Sequence, residues 1–391
     1  MTELDRFIWE HRNDDPSQMA LSAKKHPDVP VAFVARQIDA YSRLKKKIPS
    51  WYQQGLSFPV PVSLEQCSSE ATARFKASLF SGENFLDLTG GMGVDSYFFK
   101  SRFDRITLVE ADANVLSGTR HNFQTLGIDN VVFVESSAEQ YLQKTEQHFD
   151  LIYLDPSRRA SQNQRVFMLD DCQPNVLVIK DLLFNHADKT LIKTAPLLDI
   201  SLAIKQLEHV SQVWIVAYEH DCREILYLLE KNAPTLEQVP IHAVSIDHNG
   251  IAISHYTHTQ EEEQCASIEY GGAKSYLYEP NAALMKAGAF KSLGSKFQLG
   301  KFHVNSHLYT SDELIQDFPG RRFNIIATCK YHKKELIEVI PSQKANFSSR
   351  NFPDRPEQVR KRMGFADGGD HYVFATTDHL ENKVLLVCLK V

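Results

Sequence analysis

No uninterrupted apolar stretch in the 391 residues approaches the roughly 18 that a membrane-spanning helix requires. The N-terminal MTELDRFIWEHRNDD is acidic and polar and lacks the apolar core of a secretory signal, so a cytoplasmic protein without a membrane partner is expected. Cysteine is sparse. Cys67, Cys172, Cys222, Cys265, Cys329 and Cys388 lie far apart and form no CxxC pair. That argues against a zinc ribbon or a disulfide framework and fits reduced thiols. Internal repeats and low-complexity tracts are missing too. So is a basic excess: 43 Lys+Arg stand against 49 Asp+Glu, a net charge of −6. Taken as one sum, that number speaks against a nucleic-acid partner.

The charge is unevenly spread. Residues 271–391 hold 18 basic and 12 acidic residues, a net of +6. The preceding 270 hold the remaining 25 basic and 37 acidic residues, a net of −12. An acidic body followed by a basic segment points to an anionic partner for the latter. The length exceeds one ordinary core and suggests two or three domains.

Residues 1–80 read as a helical region. Val31, Val34, Ile38 and Tyr41 share a helical spacing, and Lys45-Lys46-Lys47 closes the helix as cations do at a C-terminus. The Pro-punctuated LSFPVPVSLEQ is expected to be extended or turn-rich, and Ser68-Ser69-Glu70 to open a helix toward Phe80. From Asn84 short apolar runs alternate with amphipathic stretches. NFLDL, ITLVEAD, VVFVESS, FDLIYLDP, LIKTAP and VWIVAY read as strands, and VLSGTRHNFQTLG and CREILYLLEKN as helices. IHAVSID and GIAISHYT read as a closing hairpin around His248-Asn249-Gly250. Such alternation predicts an α/β fold with a doubly wound, Rossmann-like sheet, largely parallel and ending in an antiparallel strand. QEEEQ at 260–264 reads as a linker. The remainder mixes strands (FNIIATC, YVFATT, KVLLVCLKV) with helices (ALMKAGAF, SDELIQDF, RPEQVRKRMG), an α+β pattern. The expected divisions are 1–80, 81–260, 271–320 and 321–391.

Asp87-Leu88-Thr89-Gly90-Gly91-Met92-Gly93-Val94-Asp95 follows a strand and opens a helix. Glycines there allow a sharp turn and close approach to a ligand, and the helix-start amides suit an anionic group. Alone, the turn could serve NAD, FAD, a phosphate or S-adenosylmethionine (AdoMet). The dinucleotide fingerprint G-x-G-x-x-G is missing, because Ser96 takes the third glycine position. Asp87 precedes the turn, where it would repel a pyrophosphate but attract an ammonium or sulfonium. Glu110 ends the next strand, where an acid accepts hydrogen bonds from ribose hydroxyls.

This arrangement, strand–D-x-T-x-G-x-G-x-D–helix and then a strand ending in Glu, resembles motifs I and II of class I AdoMet-dependent methyltransferases. The resemblance implies a seven-stranded sheet, AdoMet as cofactor, and cofactor-binding roles for Asp87, Thr89, Gly90, Gly91, Gly93, Asp95, Glu110, Ala111, Ser137, Ala138 and Asp155. Family members often hold the adenine amino group with an acid near the position of Ser137, and this chain departs from that pattern. The fourth strand ends Asp155-Pro156-Ser157-Arg158-Arg159, where N-methylating members carry [DN]-P-P-[YF]. The Asp-Pro pair is kept and the stacking aromatic is not. Asp155 and Pro156 are candidate catalytic residues, with Asp155 orienting the nucleophile or accepting its proton. Arg158 and Arg159 suit a substrate oxyanion or pair with Asp170 and Asp171. Methyl transfer from a sulfonium needs alignment and water exclusion rather than a metal, and no metal-ligand constellation is expected. Asp221 in Glu219-His220-Asp221-Cys222 reads as a helix N-cap. The Lys193-Thr194-Ala195-Pro196 loop and Gln66-Cys67-Ser68-Ser69 are expected at the same sheet edge.

Further on, YLYEPN from Tyr276, HLYTS from His307, FPGRRF from Phe318, RNFP from Arg350 and DGGD from Asp367 resemble bacterial methyltransferases in which a class I domain precedes a ferredoxin-like piece and a THUMP-like domain. The likeness covers roughly Leu64 to Val391 and implies an RNA substrate, tRNA or rRNA. In keeping with it, Arg321, Arg322, Lys330, Lys333, Lys334, Arg350, Arg355, Arg360, Lys361 and Arg362 are interleaved with Phe323, Tyr331, Phe347 and Phe352. Cations hold phosphates and aromatics stack unpaired bases. A methyltransferase acting on protein or a small molecule, and a non-catalytic RNA-binding protein with a decayed fold, are the competing expectations.

Overall fold

The computed structural model describes residues 2–58, 61–158 and 169–391, with positions 61–63 and 158 described by backbone alone. The chain divides into two compact units, one built mainly from residues 1–236 and the other mainly from residues 254–391.

The first unit opens with α1 (Glu3–Glu10), α2 (Pro16–Ala20) and α3 (Val31–Lys47). The predicted α3 stripe Val31, Val34, Ile38 and Tyr41 is buried, and Leu44 continues it. The chain after α3 is pinned by side chains acting on backbone. Gln37 bonds both the N–H and the C=O of Phe58, and Asn122 does the same for Ser57. Two short helices follow, α4 (Pro61–Gln66) and α5 (Glu70–Ser78). The expected extended LSFPVPVSLEQ segment is therefore helical in its second half. Pro61 sits at the first helical position, where a missing N–H costs nothing.

The sheet contains β1 (Gly82–Asp87), β2 (Phe103–Glu110), β3 (Val131–Glu135), β4 (Leu151–Leu154), β5 (Lys189–Thr194), β6 (Val210–Tyr218) and β7 (Asp221–Glu230). Between them run α6 (Val94–Phe99), α7 (Ala113–Thr125), α8 (Ala138–Lys144), α9 (Val176–His186) and α10 (Ile200–Leu207). Within the first unit the strand order is β3-β2-β1-β4-β5-β7-β6, seven of the nine strands of the sheet. β1 to β5 pair in parallel, and β7 runs antiparallel to β5. The order reverses beside β1, so the C-terminal ends of β1 and β4 flank a crevice, the usual ligand position in such sheets.

The antiparallel strand is not the one anticipated. CREILYLLEKN, expected as a helix, forms β7, and Asp221 begins that strand instead of capping a helix. Every residue from Glu224 to Leu229 is buried. A strand covered on both faces reads as a continuous apolar run, which periodicity does not separate from a buried helix. The preceding turn uses Glu219 and His220 at positive φ instead of an Asn-Gly signature. The anticipated 241–258 hairpin does exist, as β8 (Ile241–Ile246) and β9 (Ala252–His258).

In the second unit the expected linker is a helix, α11 (Gln260–Cys265). Thr259 and Glu262 form a capping box that supplies its first hydrogen bonds. A seven-stranded sheet follows. Its strands are β10 (Tyr276–Pro280), β11 (Gly300–Lys301), β12 (Tyr309–Ser311), β13 (Gly320–Lys330), β14 (Asn346–Arg350), β15 (His371–Thr377) and β16 (Lys383–Lys390), in the order β11-β12-β10-β13-β16-β15-β14. All pairs are antiparallel except β14 with β15, which pair in parallel. Along β16, Leu385 and Val387 enter one core and Leu386 and Cys388 the other, so both faces are covered. The SDELIQDF stretch is not helical. Its backbone is held by the Tyr278 hydroxyl, which donates to Glu313 C=O and accepts from Ile315 N–H.

Candidate active site

A cavity of about 1220 Å³ opens at the C-terminal ends of β1, β2, β4 and β5. Its floor is the glycine turn. Gly91 and Gly93 adopt φ of +52° and +75°, a region that favours glycine. A Cβ at Gly90 would lie 2.2 Å from Leu108 Cδ2, and one at Gly93 would lie 2.6 Å from the Phe123 ring. The turn is closed by the Thr119 hydroxyl, which donates to Gly91 C=O at 2.7 Å.

Three acids arrive at the ends of three neighbouring strands. Asp87 ends β1 and is buried. Its carboxylate accepts from the Thr89 N–H at 3.0 Å and the Ser96 hydroxyl at 2.7 Å. Burial pushes its pKa up to about 7 against those two hydrogen bonds, and the nearby Asp95 and Asp155 carboxylates push the same way. Glu110 ends β2 and accepts from Gly91 N–H at 2.9 Å and Asp112 N–H at 2.8 Å, which ties the turn to the strand. Each carboxylate oxygen keeps a further lone pair. Asp155 follows β4 and is half-buried. Its N–H donates to the Thr89 hydroxyl at 2.7 Å, and its carboxylate forms an ion pair with Lys193 at the end of β5.

Most of the anticipated site residues line this one cavity: Asp87, Thr89, Gly90, Gly91, Gly93, Asp95, Glu110, Ala111, Ser137, Ala138, Asp155 and Pro156. Three of them also make contacts within the protein. Thr89 joins the ends of β1 and β4. The Ser137 hydroxyl caps α8 by accepting Gln140 N–H at 3.2 Å. Asp95 faces into a buried charge network. For Arg158 the structure describes the backbone, paired with Cys172 in a two-residue ribbon, and Arg159 lies outside the described residues. The expected edge loops also meet here, since Gln66 to Ser69 and Lys193 to Ala195 line the same wall.

The charge network is the part sequence reasoning missed. Lys76 of α5 is fully buried. It contacts both Glu224 carboxylate oxygens at 2.7 and 2.8 Å, Asp95 at 3.2 Å and the Ser68 hydroxyl at 3.1 Å. Asp95 also accepts from the Tyr153 and Ser68 hydroxyls, each at 2.8 Å. Burial alone would raise the Asp95 pKa, but Lys76 and Lys193 hold it below the usual carboxylate range. Burial opposes the charge on Lys193 as well. The Asp155, Asp95 and Glu224 carboxylates more than offset this and raise its pKa. Lys76 and Glu224 are 148 positions apart, and Glu224 sits in the segment misread as a helix. The readable signal was helical spacing: Lys76 falls on the buried α5 face with Thr72 and Ala73.

In the second unit the anticipated stacking aromatics take part in core packing. Phe323 is buried, and Tyr331, Phe347 and Phe352 pack against a core cluster. Arg321 and Arg350 both pair with the buried Glu279, and Arg360 bonds Phe365 C=O. Lys330, Lys333, Lys334, Arg355, Lys361 and Arg362 are exposed.

Strand order, glycine turn and terminal acids together define a class I methyltransferase fold. The chain aligns with the crystal structure of a candidate methyltransferase from Porphyromonas gingivalis W83 at 32% identity and TM-score 0.90, over 99% of this chain and 97% of that one. It belongs to the same methyltransferase family. Residues 276–319 match a ferredoxin-like domain family, residues 320–390 a THUMP domain-like family, and residues 70–181 the family Conserved hypothetical protein 95. An uncharacterized RNA methyltransferase of Mycoplasma mobile is 26% identical over 96 residues, 25% of this chain and 26% of that protein. The candidate cobalt-precorrin-6B C(15)-methyltransferase of Sulfolobus acidocaldarius is 25% identical over 135 residues, 34% of this chain and 69% of that one. The chain thus spans about a quarter of the Mycoplasma relative. Among the described residues no helix is long and apolar enough to cross a membrane, and no group of three or more His, Cys, Asp or Glu is placed to hold a metal.

Proposed function

We propose that the protein transfers a methyl group from AdoMet to a nucleotide of RNA, tRNA or rRNA, presented by its basic C-terminal half. The observation that carries this reading is the meeting, in one cavity, of an acid-flanked glycine cradle and Asp155-Pro156. The cradle suits AdoMet. Positive-φ glycines leave room for the ligand, Asp87 offers a carboxylate to a cation, and Glu110 has lone pairs left for ribose hydroxyls. With the Ser137 hydroxyl committed to α8, the adenine edge falls to backbone groups around Ser137 and Ala138.

AdoMet supplies an electrophilic methyl group. Asp155 accepts a hydrogen bond from the target N–H or O–H and takes its proton as the methyl arrives. Burial raises the Asp155 pKa, which strengthens it as a base, and Lys193 opposes that shift and holds the carboxylate in place. The Pro156 C=O is the second acceptor for the target group. The buried network beneath keeps this edge of the sheet rigid, so donor and acceptor meet at near-contact distance.

Two measurements test the reading. Calorimetry of the full chain with AdoMet is expected to show binding that weakens about 10- to 100-fold in Glu110→Ala, the loss of charge-assisted hydrogen bonds. No binding at millimolar AdoMet sinks the enzyme reading. Nucleoside mass spectrometry of total RNA from a deletion strain is expected to lack one methylated species. An unchanged profile removes RNA as the substrate.

A further inference from the structure

Asp155 does not stand alone at the cavity wall. Lys193 at the end of β5 forms an ion pair with it, and both residues line the cavity. We propose that Asp155 and Lys193 act as a pair on a hydroxyl group of the target, so that in RNA the methylated atom is the 2′-oxygen of a ribose and not a nitrogen of a base. This rests on the RNA reading above and adds to it the chemical class of the accepting atom.

An ammonium group beside the proton acceptor has opposite consequences for two kinds of nucleophile. A neutral amine gains positive charge as the methyl arrives, and a cation next to it opposes that change. A hydroxyl gains negative charge as its proton leaves, and a cation in hydrogen-bond reach stabilises it. Here the cation is fixed in charge and in place. Burial opposes the charge on Lys193, but the Asp155, Asp95 and Glu224 carboxylates more than offset this and keep the ammonium form. Lys193 Nζ donates to the Ser68 hydroxyl at 3.3 Å as well as pairing with Asp155. Asp155 is anchored through its N–H on Thr89, and its side chain is 33% exposed, so a ligand in the cavity can reach the carboxylate. A hydroxyl donating to the carboxylate oxygen that Lys193 holds lies beside the ammonium.

With Lys76 included, the cluster sets three carboxylates, Asp95, Asp155 and Glu224, against two ammonium groups. The excess of one negative charge is room for one proton, the one the hydroxyl gives up. Asp95 and Glu224 are buried against Lys76, and Asp155 is the acid open enough to receive it. The target oxygen attacks the methyl carbon of AdoMet. The O–C bond forms, the C–S bond breaks with its electron pair left on sulfur, and the proton passes to Asp155 and from there to solvent. Ser157-Arg158 stand where the N-methylating pattern has a proline and a stacking aromatic. A ribose hydroxyl is displayed by every nucleotide of RNA and calls for no base stacked on that loop.

The test incubates the full chain with methyl-labelled AdoMet and total RNA from a deletion strain, then digests the RNA and separates ribose from base. Wild type, Lys193→Met and Lys193→Arg are compared. Label is expected on ribose. Lys193→Met is expected to slow the transfer about 100- to 1000-fold, the effect of removing one fixed donor from a developing oxyanion. Lys193→Arg keeps the charge and is expected to retain more of the rate than Lys193→Met. Equal affinity of the three proteins for S-adenosylhomocysteine certifies that each is folded. Label on a base overturns the hydroxyl target and keeps RNA. Label on ribose with Lys193→Met as fast as wild type overturns the pairing of Lys193 with Asp155 in the reaction. RNA left unlabelled by a wild-type protein that binds AdoMet overturns the RNA reading and the ribose with it.

Discussion

At the scale of single residues, the Asp87 carboxyl is the group through which pH is expected to act on cofactor binding. Its pKa of about 7 lies well above the ordinary aspartate value of 3.8 because the group is buried. Below about pH 7 the free protein therefore holds it mostly protonated. Its contribution to stability is complete below about 3.8 and is lost as the pH rises through 7. A cationic cofactor reverses the preference, because it attracts the ionised form. AdoMet affinity is accordingly expected to rise with pH up to about 7 and then level off, with up to one proton released per molecule bound at pH 6. Calorimetry in buffers of differing ionisation enthalpy measures that release. Asp87→Asn is expected to bind more weakly and to release none. Proton release unchanged in Asp87→Asn would assign the effect elsewhere. The same residue shows what a linear reading offers: an acid before a glycine turn is visible, and its shifted pKa is not.

At the scale of elements, two junctions hold the cradle. The first is the packing of the turn on its neighbours. Gly93→Ala combines a positive φ with a Cβ 2.6 Å from the Phe123 ring, and Gly90→Ala drives a methyl into Leu108 at 2.2 Å. Each is expected to lower stability by about 1–3 kcal/mol and to weaken cofactor binding, read by thermal unfolding with and without AdoMet. The second is the tie between α5 and β7 through Lys76, Glu224 and Asp95. Lys76→Met leaves two carboxylates buried without their cation and is expected to cost about 3–5 kcal/mol in denaturant unfolding. Adding Glu224→Met should return part of that loss. A double variant no better than the single one would mean that the pair acts independently. These junctions escaped the sequence because each joins segments far apart in the chain. The β7 assignment failed for a related reason, since burial on both faces erases the alternation that marks a strand.

At the scale of the whole molecule, the sum of −6 conceals a division between −12 and +6. Arg321, Arg350 and Arg360 are engaged within the basic unit, and Arg362 pairs with Asp354 over the Tyr331 ring, which leaves the exposed Lys330, Lys333, Lys334, Arg355 and Lys361 to face solvent. Reversing three of these charges, in Lys333→Glu/Lys334→Glu/Lys361→Glu, is expected to weaken RNA binding more than tenfold irrespective of sequence. The salt dependence should fall with it, as phosphate contacts require. Anisotropy with labelled tRNA at several salt concentrations reads both effects. An unchanged salt slope would place the RNA surface elsewhere.

Taken alone, the order of residues determined the class of sheet, the position of its glycine turn and the succession Asp87, Glu110 and Asp155 on its strand ends. Those features are local: turn chemistry, helix caps and the alternation of strand and helix are written within a few residues of where they act. Tertiary structure decided which strand closes the sheet and which lysine neutralises Asp95. It also packed the anticipated stacking aromatics against the second core and brought the end of α3 to the cavity that holds Asp155. Each of these depends on burial and on charges meeting across long separations, and neither quantity exists until the chain has folded.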